Sequence, residues 1–374
     1  MRLTTTVLFI LSFALNVNSQ LKYSIPFELI DYRIYLKGTI NEVECSFLYD
    51  TGDFGVALDK LFIEKNGIEI PKYAKKNVFL IRFNNFEKQL SSVTSQDINI
   101  IGGNSDEGVI GIDFFKDFIV EIDYEQQVLK LFDINTKIDN SYSEVETNQF
   151  KGLILYGRFT TKLEIVFNEN SCLNGDFLFD TGSGRNITIF SQLDSNLDSE
   201  NPIRKGMNSS YHGNNISEFI KTKEVFFNNG SFLNLIVDRS FDTNKEVANR
   251  IDGVIGGQFL QNFNIILNYT KHAVYLKQNN NDNFTKEMLT DGIIYRDRRK
   301  DLGGLLVSAK IEHELLNDKF KLGDLILEIN GNKVVELDYF YMRNLQLVEG
   351  NKIHYKVLRK RKKIDIVTEV LKVM

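Results

Sequence analysis

Phe47-Leu48-Tyr49-Asp50-Thr51-Gly52 has a second copy in the same chain, Phe177-Leu178-Phe179-Asp180-Thr181-Gly182. In each copy three bulky apolar residues run into Asp-Thr-Gly. An apolar run rich in aromatics reads as a buried strand. The glycine lets the chain turn where a side chain would clash. Each copy therefore delivers one carboxylate at the exit of a buried strand.

The duplication extends beyond these six residues. Gly108-Val109-Ile110-Gly111 follows the first copy and Gly253-Val254-Ile255-Gly256 the second. Ile122-Asp123-Tyr124 is matched by Leu267-Asn268-Tyr269, and Leu131 by Leu276. The spacing from 111 to 256, from 124 to 269 and from 131 to 276 is 145 residues each time. The Asp-Thr-Gly pair is only 130 apart, so the second copy carries an insertion between its two motifs. Two copies of this size imply two homologous lobes rather than a solenoid.

The insertion contains the glycine- and polar-rich stretch 206–215, readable as a flap over a cleft or as a surface loop. In the first copy, residues 112–118 read as a short helix and 119–132 as a hairpin around Glu125-Gln126-Gln127. Residues 77–101 read as strands turning at Phe83-Asn84-Asn85-Phe86. The polar stretches 135–148 and 278–283 read as linkers. Beyond them the pattern changes. Gly304-Leu305-Leu306-Val307-Ser308-Ala309-Lys310-Ile311 reads as a strand, followed by Leu322-Gly323-Asp324-Leu325-Ile326 and Asn330-Gly331. Residues 337–347 read as a helix. The segments 353–358 and 364–370 read as a closing hairpin, with the basic run 359–363 at its turn.

On these motifs the chain resembles the bilobal retropepsin/pepsin-like aspartic peptidases. More closely it resembles the bacterial aspartyl proteases that carry a C-terminal PDZ domain. The resemblance implies a mainly β chain with two homologous acid-protease β-barrel lobes, at 20–134 and 150–277, and a small α/β PDZ domain at 288–374. It implies a catalytic pair, Asp50 and Asp180, acting on polypeptide substrates through a bound water. Thr51 and Thr181 would interlock the two loops. Gly52 and Gly182 would let backbone N–H groups reach the carboxylates, with Gly111 and Gly256 packed behind. Ser183 matches the small hydroxyl that the resemblance implies after Asp-Thr-Gly. In the first lobe Asp53 stands there instead, and an ionised carboxylate cannot donate. That departure supports the alternative of an inactive two-lobed peptide-binding protein with the PDZ domain as scaffold. The resemblance also implies a flap from residues 77–101, with Phe79, Phe83 and Phe86 as its nearest aromatics. It implies a carboxylate-binding loop in the PDZ domain, best matched by Asp291-Gly292-Ile293-Ile294. His313-Glu314-Leu315-Leu316 stands where Ser-Pro-Ala-Ala is usual.

Other chemistries find little purchase. The chain has 374 residues, 43% of them hydrophobic, and a formal charge of −5, which offers no nucleic-acid footprint. Its four histidines lack metal-ligand spacing, and no Walker loop, nucleophile elbow or dinucleotide-binding glycine pattern occurs, so neither metal nor cofactor is expected. Cys45 and Cys172 have no histidine near them; export would permit a disulfide between them, and the preferred reading is two buried free thiols. The sequons, Asn186 and Asn268 among them, carry little weight in so Asn-rich a chain. Residues 1–19 have the layout of a signal peptide, which predicts an exported protein, periplasmic or secreted, with no membrane span after cleavage.

Overall fold

The computed structural model describes residues 21–71, 78–98, 107–148, 157–190, 203–210, 213–241, 250–281, 284, 287–311, 319–337 and 347–372. The chain is mainly β, organised in two large sheets. The expected signal peptide at 1–19 lies outside the described residues, as does most of the expected helix at 337–347.

The duplication seen in sequence is a duplication of topology. In lobe one the strand Val43–Tyr49 runs parallel to Gly108–Ile110. That strand pairs antiparallel with Val56–Asp59, which runs parallel to Thr94–Gln96. In lobe two Ser171–Asp180, Gly253–Gly256, Ile187–Phe190 and Ile236–Ser240 repeat this order and these senses. The central strands are apolar on both faces. Phe47, Tyr49, Ile110, Phe177, Phe179 and Ile255 are all buried in one core shared by the lobes. Leu48 and Val109 pack in a smaller cluster on the other face.

A common sheet joins the lobes. Ile119–Asp123 and Val128–Phe132 form the expected hairpin of lobe one, and Phe263–Asn268 and Ala273–Gln278 its counterpart in lobe two. The two meet antiparallel, with Ile265 opposite Ile122 and Leu267 opposite Val120.

A tighter contact forms where each lobe's chain enters its first inner strand. Asp31 and Tyr32 turn with φ of 50° and 64°. Their carbonyls press on Gly184 and Gly257 of lobe two. The equivalent turn of lobe two holds Gly157, with φ of 76°, against Ile112 of lobe one. Ile112 and Gly257 are themselves repeat mates, 145 residues apart, at 112 and 257.

Several expectations are corrected. The helix at 112–118 shrinks to a single 3-10 turn, Ile112–Phe114. The linker at 135–148 contains two short strands: Ser143–Val145 pairs with Ala273–Gln278, and Thr147–Asn148 with Thr160–Asn168. Phe79, Phe83 and Phe86 are not flap residues. They sit on the hairpin Phe79–Phe83/Phe86–Leu90 and point into the core, where Phe83 and Phe86 meet Phe114 edge-on. The insertion of lobe two is a long hairpin, Ile203–Ser210 with Gly213–Lys221, rather than a loop. Cys45 is buried, and burial with Glu107 beside it pushes its thiol pKa up, whereas Cys172 is exposed. Both are free. Asn186 and Asn268 are buried, which removes those sequons from consideration.

The C-terminal part has its own apolar core, with Leu305, Ile326, Val357 and Ile366 at its centre. Gly304–Ile311 forms as read, Leu325–Ile329 is a further strand, and Lys352–Arg359 and Lys362–Glu369 make the closing hairpin. Lys360 and Arg361 supply its turn, both at positive φ. Asp324 of the Leu-Gly-Asp motif is buried and takes both Nε and Nη2 of Arg359, at 2.7 and 2.6 Å. This part is not a free appendage. Ile311 and Lys310 pair with Gly206 and Met207 of the lobe-two hairpin, extending one continuous sheet.

Candidate active site

Asp50 leaves the strand Val43–Tyr49, and its N–H donates to Ile110 O at 2.9 Å. Asp180 ends the strand Ser171–Asp180, opposite Gly256. The parallel pairings hold both strand exits rigid, and the turns beyond them bend each carboxylate back onto its own loop. Gly52 N donates to Asp50 Oδ1 at 2.7 Å. Gly182 N and Ser183 N both donate to Asp180 Oδ1 at 3.0 Å.

The threonines interlock the loops. Thr51 Oγ1 donates to Phe179 O and Thr181 Oγ1 to Tyr49 O, each at 2.7 Å. Each hydroxyl also accepts from the opposite threonine's N–H at 3.1 Å. All four bonds cross between lobes and are buried. The glycines are needed for sterics. A Cβ on Gly182 would fall 2.3 Å from Asp50 Cγ, and one on Gly52 2.9 Å from Asp180 Cγ. Gly111 and Gly256 lie against the chain just past each loop, Gly111 on Asp53 and Phe54, Gly256 on Ser183 and Arg185.

The two carboxyls meet beside Gly52, where a Cβ would fall 3.1 Å from Asp50 Oδ1 and 3.0 Å from Asp180 Oδ1, and they share a side-chain hydrogen bond. Burial, then the charge of Asp180, then that of Asp53 hold Asp50 well above the usual carboxylate range. Burial raises Asp180 as well, but the N–H groups of Ser183 and Gly182, the bond from Asp50 and the guanidinium of Arg158 oppose it. Like charges this close share one proton, and the pair titrates as a unit. Tyr49, the residue before Asp50, pairs its hydroxyl with Tyr269 at 3.0 Å.

Two residues differ from what the resemblance implies. Ser183 serves Asp180 through its backbone N–H, while its hydroxyl accepts from Arg185 N at 3.4 Å. Asp53 turns its Oδ1 to Phe54 N at 2.6 Å. Sequence reasoning missed Arg158, which reaches over from lobe two. Its Nε donates to Gly52 O at 2.7 Å, and its Nη2 lies 4.0 Å from Asp53 Oδ1. A signal was available in the repeat. Arg33 and Arg158 stand one residue ahead of Ile34 and Phe159, which pair with Tyr49 and Phe179.

In the C-terminal part the loop at Asp291-Gly292-Ile293 is internally satisfied. Gly292 N donates to Thr290 Oγ1 at 2.9 Å, and Asp291 accepts from the Tyr355 hydroxyl. The segment 313–316 lies outside the described residues. Among the described residues no helix is long and apolar enough to cross a membrane, and no cluster of His, Cys, Asp and Glu could hold a metal ion.

A scan against protein families and a search of curated proteins matched nothing. Among solved structures, the chain is similar to a retropepsin-like aspartic protease from Rickettsia conorii. Identity is 20% over 30% of this chain and 89% of that one, with a TM-score of 0.22.

Proposed function

We propose that the protein is an aspartic endopeptidase in which Asp50 and Asp180 form the catalytic pair. The observation that carries this reading is the meeting of two buried carboxyls, both beside Gly52, at the interlocked turns of two duplicated loops. The ionised member of the pair takes a proton from a water. The protonated member hydrogen-bonds the scissile carbonyl and stabilises the developing oxyanion. The water attacks directly, so no acyl-enzyme forms. The substrate is a polypeptide, and the protein works after export. The C-terminal part acts as a PDZ-like module that presents substrate or a partner.

The test is cleavage of an unfolded polypeptide by the full chain. Asp50→Asn and Asp180→Asn should each abolish turnover while leaving the fold intact. The double variant should be hardly worse than either, because the pair acts as a unit. Wild-type turnover in either single variant would rule the two-lobe site out. The second reading, a peptide-holding protein without hydrolysis, draws on Asp53, a charge where a hydroxyl is implied. It predicts peptide binding by the wild type with no cleavage at any pH.

A further inference from the structure

We propose that Arg158 is a positioning residue of the carboxyl pair: it clamps the Gly52 peptide from the opposite lobe and counters the charge of Asp53 beside the pair. The catalytic consequence rests on the peptidase reading. The charge placement stands without it.

Gly52 is held at both ends. Its N–H donates to the Asp50 carboxyl and its carbonyl accepts from Arg158 Nε, both at 2.7 Å. A bond from a guanidinium is roughly twice as strong as one between neutral groups. The Arg158 side chain is only 13% exposed, so solvent screens its charge weakly, while that of Asp53 is 40% exposed. Among the described residues, the charged and titratable groups near the pair include Asp53, Arg158, Tyr49 and Tyr269, with Arg33 against Gly184 and Arg185 just past the lobe-two loop. Burial, with Tyr269 beside it, keeps Tyr49 neutral, and burial keeps Tyr269 neutral. An anion, Asp53, and a cation, Arg158, therefore act on the pair together. Asp53 raises the pair's hold on its proton and Arg158 lowers it, so the two bear on the shared proton with opposite sign. Asp53 is thus tolerated at the position of the implied hydroxyl because Arg158 accompanies it.

The test uses the full chain in five forms: wild type, Arg158→Met, Arg158→Lys, Asp53→Ser and the Asp53→Ser/Arg158→Met double. Two readouts are taken across pH: initial rates on an unfolded polypeptide, and carboxyl-carbon NMR of the Asp side chains, assigned with Asp50→Asn and Asp180→Asn. Arg158→Met should lower kcat about ten- to a hundredfold, the range for losing a hydrogen bond to a charged group, with KM little changed. It should also move the pair's first deprotonation to higher pH. Asp53→Ser should move that step to lower pH and raise activity on the acid side. In the double variant the step should return toward wild type. Arg158→Lys should restore the step's position, because the charge is kept, but not the full rate.

If a folded Arg158→Met titrates like the wild type, the proposal is overturned, whatever the rate does, because a purely structural arginine would leave the titration in place. If Arg158→Met does not fold, Asp53→Ser decides, and an unmoved step overturns the proposal. Movement of the steps as stated in a wild type that cleaves nothing would sustain the charge placement and sink the peptidase reading. Cleavage together with unmoved steps would do the reverse.

Discussion

Asp50 shows how a single buried carboxyl ties chemistry to stability. Its folded-state pKa is raised, with burial as the largest cause. A carboxyl raised on folding supports the fold fully below its unfolded pKa of about 3.9, and that support is lost as pH rises towards and through the folded value. Asp50→Asn removes this dependence, and its amide can still donate to Asp180. The variant should therefore outlast the wild type in urea at neutral pH, with the difference closing as pH falls below about 4. A variant less stable than wild type at neutral pH would mean that the Asp50 carboxyl is not raised on folding. The candidate pair itself was legible in the sequence because an apolar run into Asp-Thr-Gly is a local pattern and occurs twice. Arg158 was not, because nothing local separates a guanidinium aimed at a distant carbonyl from one lying in water. Asp53 was legible as a charge, but which way it turned depended on Phe54 N and on Arg158, partners that only the fold supplies.

At the scale of elements, periodicity and turn residues carried the legible part. The inner strands announce themselves as apolar runs, and the hairpin at 119–132 and the closing hairpin around Lys360-Arg361 in the alternation of apolar residues. The hairpin at 203–221 was harder, because its stretch 206–215 is polar, with two glycines, and its strands form by pairing with Ile236–Ser240 and Gly304–Ile311. The phenylalanines at 79, 83 and 86 were misplaced because a hairpin beside a cleft and one packed on a core have the same local pattern. The contact of the Asp31-Tyr32 turn on lobe two is the element-level feature most open to test. A Cβ on Gly257 would fall 1.8 Å from Tyr32 O, a backbone atom that cannot swing aside. Gly257→Ala should cost about 1–3 kcal/mol, the usual range for overpacking, read as a lowered urea midpoint. An unchanged midpoint would show that the lobes part there without strain.

For the molecule as a whole, the C-terminal part and lobe two are coupled by more than a linker. Ile311 closes a buried cluster with Phe219 and Ile236, packed by Met288 and Leu371. Lys300 also reaches Glu107 of lobe one at 3.3 Å, an exposed pair that contributes little. Removing residues 288–374 should leave lobes that fold on their shared core. It should bare the edge of the hairpin at 203–221, seen as faster amide exchange confined to that hairpin and its neighbour Ile236–Ser240. Exchange at the wild-type rate would make the pairing incidental. The two lobes are alike in topology yet not interchangeable. Two copies of lobe one would drive the Tyr32 carbonyl into Ile112, where it now meets Gly257. Two copies of lobe two would set Gly157 against Gly257 and leave a hole where the Ile112 side chain sits. Neither half can serve as its own mate: the duplication has become a lock and a key, and only a chain that encodes both halves can close it.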